Sequence, residues 1–339
     1  MKKYNYLKIC SILLMLILSL TGCDDEFYDD YGPGYNYNGD NEHFEDYDHY
    51  DDHDHYDSDE YYDDYDYEGY GIESPISAKL SFSDFPLGTC GEMEGTTLLV
   101  SVFLNDSDTS WDGCESVMYD ALNYTGIATD WISNSASAYG CNCNFIYDWT
   151  ENEDLYFAGA IDTKMFGSDV NPDSVDYSAW EFIDEYIDSQ ALLEKYNADN
   201  IGYMLYLNTP KSNNMTSCTR NYYEGMAYPY EICYIYMFFD EQEEAPAGIA
   251  HEILHTFGAP DLYLEDTDGE NYGVSKSLVQ ELENTRSNDI MYATYDIDKY
   301  ITHYDKITND FTELDAYYVG IIDSCDFVNE WNLQPSQHN

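Results

Sequence analysis

Basic residues are scarce in this chain. Of its 339 residues, 12 are Lys or Arg and 68 are Asp or Glu, which gives a formal net charge of -56. A surface with so few cations repels the phosphates of nucleic acid and of anionic lipid headgroups. The composition therefore excludes proteins that bind nucleic acid through a basic surface, and it favours basic substrates.

Long apolar runs are also scarce. The run Ile9–Leu20 is too short to span a bilayer in a mature protein, and lysines at positions 2, 3 and 8 precede it. The run ends in Leu-Thr-Gly before Cys23, which resembles the lipobox of bacterial lipoproteins, whose cysteine is acylated after cleavage. We expect residues 1–22 to be a signal peptide and Cys23 to anchor the protein to the bacterial cell surface. A plain secretory signal is the alternative.

Residues 23–72 contain no Lys or Arg. From position 24 they hold twenty Asp or Glu, twelve Tyr and four His. Like charges at this density repel one another and do not pack into a core. We expect an acidic, disordered tether, with weak capture of divalent metal by its Asp and His runs as the alternative. Residues 73–339 then suit one large domain.

Seven cysteines follow the anchor. In an oxidising compartment some of them should pair, and the odd number leaves at least one thiol free or intermolecular. Their connectivity stays open. They are Cys90, Cys114, Cys141, Cys143, Cys218, Cys233 and Cys325.

The most informative residues are two histidines on one predicted helix. His251 and His255 are four residues apart, so they lie one turn apart on the same face, where both rings reach one metal ion. Glu252 projects beside them as a carboxylate base. The spacing predicts a zinc site in which Glu252 takes a proton from a zinc-bound water as that water attacks a carbonyl.

A turn should follow this helix. Gly258 can adopt the left-handed conformation that ends a helix, and Pro260 cannot continue one, so the chain should reverse beneath the metal. Asp261 then arrives as the third ligand. His303 is the alternative third ligand. A role in contact with the substrate is the other interpretation of His303.

The complete pattern, HExxHxxGxxD, resembles the metzincin metalloproteases, specifically those with an aspartate third ligand such as the snapalysin and immune inhibitor A families. Residues 287–292 resemble the Met-turn of that family, which implies that Met291 is an apolar floor under the zinc. Where the family places a tyrosine near zinc, two residues beyond the methionine, this chain has Ala293. Tyr292 or Tyr295 would have to take its place.

The predicted fold is α/β, of the α+β zincin kind, with a mixed twisted sheet and an active-site helix. The N-terminal subdomain should run to about residue 261, and residues 262–339 should form a smaller C-terminal subdomain. Apolar patterning predicts strands at 97–104, 144–149, 155–161, 201–207, 222–228 and 232–239, and helices at 114–137, 178–196, from about 243, 275–284 and 310–322.

The resemblance implies that the strand just before the last one is an antiparallel edge to which a peptide substrate adds. Tyr222–Tyr228 holds that position in the predicted order, with a tyrosine-rich surface hairpin as the alternative. Asp266–Asn271 resembles part of a calcium loop, with a solvated loop as the alternative.

Together these features predict a zinc metallopeptidase that cleaves the peptide bonds of extracellular proteins or peptides. The alternative belongs to another class: a surface lipoprotein that binds or adheres and has kept a zincin fold without turnover. The intact base and three ligands argue against that alternative.

Overall fold

The computed structural model describes residues 88–167, 170–220, 230–265 and 274–333. These residues belong to one unit, Glu68–Asn339. The predicted signal peptide and anchor, the tether, the strand 222–228 and the calcium loop 266–271 lie outside the described residues. Within the described ranges, no helix is both long enough and apolar enough to cross a bilayer.

A six-stranded, mainly parallel sheet forms the centre of the fold. β1 pairs in parallel with β4 on one side; on the other it pairs with β2 along its first half and β3 along its second. β6 continues the sheet in parallel beside β4, and β5 closes this edge antiparallel to β6. The strands are β1 Gly95–Asn105, β2 Cys143–Ile146, β3 Tyr156–Ala160, β4 Asn200–Leu207, β5 Cys218–Thr219 and β6 Ile232–Tyr236.

Seven α-helices lie between or after the strands of the described residues. A short antiparallel hairpin, β7 Phe238–Phe239 with β8 Gln242–Glu243, leads from the sheet into α4. The helices of the described residues are α1 Glu115–Ser137, α2 Pro172–Tyr186, α3 Ser189–Tyr196, α4 Pro246–His255, α5 Lys276–Thr285, α6 Glu313–Tyr318 and α7 Asp326–Trp331.

Both faces of the sheet are covered, because its central strands are apolar on both sides. Side chains from α1, α4 and the C-terminal segment share one hydrophobic cluster with Phe103 and Tyr206. Side chains from α2 and α3 share the other cluster with Val102 and Leu205. Burial of both faces is typical of parallel sheets, and it explains the continuous apolar run of β1. The α/β class is thus confirmed.

Two predicted helix boundaries were wrong. The single helix expected at 178–196 begins at Pro172 and is two helices, because the Asp188 side chain accepts a hydrogen bond from the Ala191 amide at 3.0 Å and starts a new helix. The helix expected from about residue 243 begins at Pro246, because Gln242–Glu243 pairs with β7. The described antiparallel neighbour of β6 is Cys218–Thr219, and the edge strand expected at 222–228 stays a prediction.

The C-terminal segment also differs from the prediction. The helix expected at 310–322 is only Glu313–Tyr318, since Thr312 and Asp315 form a capping box that fixes its start. Asp326–Trp331 forms a further helix that the sequence pattern did not predict.

The expected disulfides are absent among the described residues, where all seven cysteines are free thiols. Several thiols donate to backbone carbonyls of neighbouring elements instead. Cys90 lies 3.3 Å from the oxygen of Ile201, and Cys233 lies 3.4 Å from the oxygen of Glu252. The expectation of pairing was therefore wrong; even the neighbouring Cys141 and Cys143 hydrogen-bond to each other as free thiols.

Candidate metal centre

The end of α4 brings the two histidines to the chain reversal that follows. Every residue of α4 is buried, so the helix is held on all sides. Gly258 has φ of 102°, a conformation that side chains rarely adopt, and its amide donates to the carbonyl of His255 at 2.7 Å. The chain therefore turns back immediately after the helix and returns Asp261 to the histidines.

Three donor atoms converge at this reversal. Nε2 of His251 lies 3.0 Å from Nε2 of His255 and 3.0 Å from Oδ1 of Asp261. The third side, from Nε2 of His255 to Oδ1 of Asp261, is 3.4 Å. Ligands about 2.0 to 2.1 Å from a tetrahedral zinc lie roughly 3.3 Å apart. The donor set therefore has the size and the chemistry that zinc requires.

Backbone carbonyls fix the orientation of both rings. Nδ1 of His251 lies 3.0 Å from the oxygen of Ile290, and Nδ1 of His255 lies 2.7 Å from the oxygen of Ala259. A carbonyl only accepts, so each Nδ1 must carry hydrogen and donate. This leaves each Nε2 as the nitrogen that could bind a metal ion. Such second hydrogen bonds, from the Nδ1 side of the ring, orient histidine ligands in metal sites.

The three groups are strongly coupled in charge. Burial acts to lower the pKa of His255, but the Asp261 carboxylate outweighs it and raises that pKa to about 9. Burial also acts to lower the pKa of His251, but its hydrogen bond to Asp261 and the charges of Asp261 and Glu252 together raise that pKa. Burial alone would raise the pKa of Asp261, yet the two imidazoles hold it well below its ordinary value. The cluster thus keeps a negative oxygen beside two nitrogens.

Glu252 lies beside this cluster in a nearly dry position, with 4% of its surface exposed. Burial raises the pKa of its carboxyl group, and the positive charges of the two histidines oppose that rise. The hydroxyl of Thr219 lies 2.9 Å from Oε2. A carboxylate with a raised pKa is better matched to accept a proton near neutral pH.

The segment predicted to be a Met-turn is hydrogen-bonded to the elements that carry the candidate ligands. Met291 is fully buried, and its carbonyl accepts from the Leu262 amide at 2.9 Å, next to Asp261 in the chain. The carbonyl of the preceding residue, Ile290, holds His251. The turn therefore supports both the helix and the loop that carry the ligands.

The other predicted site residues lie elsewhere. Tyr292 packs against the hydrophobic cluster that includes α4, and Tyr295 stacks on Tyr300 with ring centroids 6.1 Å apart. Nε2 of His303 lies 3.3 Å from Oδ2 of Asp296. His303 does not belong to the group of His, Cys, Asp and Glu side chains that could hold a metal among the described residues, which consists of His251, His255 and Asp261.

Sequence reasoning missed two residues of the site. Burial, together with the charges of Asp261 and Glu252, raises the pKa of the Tyr263 phenol, and its ring centroid lies 6.3 Å from that of His251. Tyr263 is two residues from a predicted ligand, which is a usable sequence signal. Thr219 lies 33 positions before Glu252, and no local pattern connects them.

The chain matches no protein-family model, and no curated protein matches it. The site itself contains two oriented imidazoles, a carboxylate within 3.4 Å of both, and a second carboxylate beside them. This arrangement can hold a divalent ion and accept a proton next to it.

Proposed function

We propose that this chain is a metzincin-like, zinc-dependent metalloendopeptidase with an aspartate third ligand. The observation that carries the proposal is the triangle formed by His251, His255 and Asp261, with sides of 3.0, 3.0 and 3.4 Å. Glu252 lies next to this triangle, as a general base must. These residues would hold one zinc ion.

Zinc, when bound, would polarise the peptide carbonyl and acidify a water molecule. Glu252 accepts the proton of that water as it attacks the carbonyl, and then passes the proton to the departing amine. His251 and His255 stay fixed during this step, because the carbonyls of Ile290 and Ala259 hold their Nδ1 atoms. Tyr263, which is 50% exposed, borders the open side where a substrate would arrive.

The sheet supports the proposal through its edge. The metzincin resemblance implies an antiparallel edge strand just before the last strand, and β5 has this place relative to β6. Thr219 on β5 also reaches Glu252. A peptide that adds a strand alongside β5 would run past the base, with its backbone groups paired to the sheet.

The composition and the N-terminus complete the proposal. A formal net charge of -56 would attract basic protein or peptide substrates and disfavour nucleic acid. Residues 1–22 would direct export, Cys23 would carry the lipid anchor, and the acidic tether would hold the enzyme at the bacterial cell surface. A calcium ion at 266–271 belongs to the same proposal.

Metal analysis and a cleavage screen on the purified full chain test this function. The expected result is one zinc per chain and hydrolysis of a mixture of unfolded proteins. A chelator should abolish this hydrolysis. Glu252→Gln should keep the zinc and lower kcat by about 100-fold or more, because only the proton acceptor is lost. Equal hydrolysis by Glu252→Gln and the unmodified chain would overturn the proposal. Zinc without any cleavage would favour the non-catalytic surface-binding protein.

A further inference from the structure

Two hydroxyl groups attach the edge strand to the active-site helix. On β5, the Thr219 hydroxyl lies 3.0 Å from the carbonyl oxygen of Glu252 and 2.9 Å from its Oε2. Just before β5, the Ser217 hydroxyl donates to Oε2 of Glu244 and accepts from the amide of Tyr236 at 3.1 Å. One segment of three residues therefore contacts both the approach to α4 and the base within it.

Glu244 is seated tightly at the start of α4. Its Oε1 accepts from the Ala245 amide at 2.8 Å. A Cβ at Gly248 would come within 2.2 Å of the same oxygen, so the carboxylate occupies space that only glycine leaves open. Burial raises the pKa of Glu244 to about 7. The hydrogen bond from Ser217 to Glu244 therefore fixes the position of residues 217–219 relative to the start of α4.

Thr219 then acts on the base itself. A glutamate side chain has three rotatable bonds, and its carboxylate can turn unless a donor holds it. The Thr219 backbone is fixed by pairing with Cys233 on β6, so its hydroxyl is a rigid donor. With Oε2 held at 2.9 Å by this hydroxyl, Oε1 is the oxygen left to accept a reacting proton.

We propose that Thr219 is a positioning residue for Glu252: its hydroxyl holds one carboxylate oxygen, so that the strand which receives the peptide also orients the general base. This inference rests on the proposed peptidase function. It assigns Thr219 no contact with the reacting atoms. Its effect passes through the geometry of Glu252, which makes it separable from substrate binding and from zinc binding.

The catalytic test replaces the hydroxyl with a methyl group of similar size. Thr219→Val should lower kcat by about 10-fold or more, because misplacement of a base by a fraction of an ångström is costly, while KM and zinc content stay within twofold. Thr219→Ser, which keeps the donor, should recover most of kcat. Unchanged kcat in Thr219→Val, or equal losses in Val and Ser, would overturn the proposal.

Thr129→Val is the matched control. Thr129 is buried, and its hydroxyl donates to the carbonyl of Thr125 at 2.9 Å on its own helix, α1. This variant reports what the loss of a buried hydroxyl costs in stability away from the site. It should leave kcat unchanged; a loss of kcat equal to that of Thr219→Val would show that the Thr219 effect is merely structural.

A second measurement needs neither zinc nor activity. In protein stripped of metal by a chelator, Thr219→Val should increase the unfolding equilibrium constant by about tenfold or more in the unmodified background relative to its effect in Glu252→Ala, as expected for one hydrogen bond to a charged group. Absence of this coupling would overturn the proposal. If the unmodified chain cleaves no peptide, the proposed function fails, and the coupling alone decides whether Thr219 holds Glu252.

Discussion

Nε2 of His255 lies 3.4 Å from Oδ1 of Asp261, and this ion pair keeps a proton on the imidazole that a metal would have to displace. Burial acts against that proton, but the Asp261 carboxylate prevails, and the pKa of His255 in protein without zinc is about 9. Zinc and the proton therefore compete for the same nitrogen over the whole neutral range.

Zinc binding at pH 7 should accordingly release about one proton from His255. Because the histidine is protonated below about pH 9, the apparent zinc affinity should fall as the pH is lowered from that value. Calorimetric titration at pH 7 in two buffers of different ionisation enthalpy measures the number of protons released. Identical heats in both buffers would contradict the predicted competition.

Replacement of the proposed third ligand, Asp261, should distinguish the effect of the number of ligands on zinc binding from the effect of their charge. Asp261→Ala should weaken zinc binding by more than the roughly 10- to 100-fold that loss of an outer partner costs, since two imidazoles remain. Asp261→His should retain zinc, because tetrahedral geometry accepts either group. A neutral third ligand leaves the ion a stronger Lewis acid, so the acidic limb of the pH profile should move to lower pH.

His303→Ala is the control for this pair of variants. The ring of His303 is engaged with Asp296 at 3.3 Å, away from the ligand cluster, so its loss should leave zinc affinity unchanged. Competition against a chromogenic chelator measures all three variants on one scale. If Asp261→Ala keeps its zinc while His303→Ala loses it, the third ligand has been assigned to the wrong residue.

The ligand cluster could be predicted because its geometry is local. His251 and His255 share a face through helical periodicity alone, and the reversal at Gly258 needs only the conformational freedom of glycine, which its φ of 102° confirms. The central strands were predicted for a related reason, since their runs of apolar residues match burial on both faces of the sheet.

The parts that escaped prediction depend on distant pairing. β5 is only Cys218–Thr219, too short to show the alternation that marks a strand. Its role follows from register, because pairing with β6 carries Thr219 to Glu252 across 33 positions. The break between α2 and α3 escaped for the opposite reason: Asp188 is a local cap inside a pattern that otherwise looks continuously helical.

Tyr263 offers a test of the outer partners. Burial and the nearby Asp261 carboxylate raise the pKa of its phenol, so the hydroxyl stays protonated and can donate to Asp261. Tyr263→Phe should remove this donor and lower zinc affinity by about 10-fold. Tyr196→Phe is the matched control, because the Tyr196 hydroxyl donates to Asp154, a carboxylate outside the ligand cluster. Zinc affinity is measured by chelator competition. Equal affinities of the two variants would mean that the Tyr263 hydroxyl does not support Asp261.

The last prediction concerns two buried acids, Asp289 and Asp315, close to Met291 and Thr312. Oδ1 of Asp289 accepts from the amide of Met291 at 2.8 Å, and its Oδ2 accepts from the hydroxyl of Thr312 at 2.6 Å. Oδ2 of Asp315 accepts from the Thr312 amide at 2.6 Å. Burial raises the pKa of Asp289 to about 6. Burial, together with the charge of Asp289, raises the pKa of Asp315 well above its ordinary value.

Both groups therefore hold protons in the folded protein at pH values where the unfolded chain has released them. Their contribution to stability is fully present below about pH 4 and is lost as the pH rises through 6 and beyond. Asp315→Asn keeps the shape and stays neutral, so the variant should be more stable than the unmodified protein at pH 8. At pH 5 the difference should shrink. Thermal unfolding at both pH values measures the difference in stability, with exposed Asp305→Asn as the control. If the difference is the same at pH 5 and pH 8, the Asp289 and Asp315 carboxyl groups do not retain a proton in the folded protein.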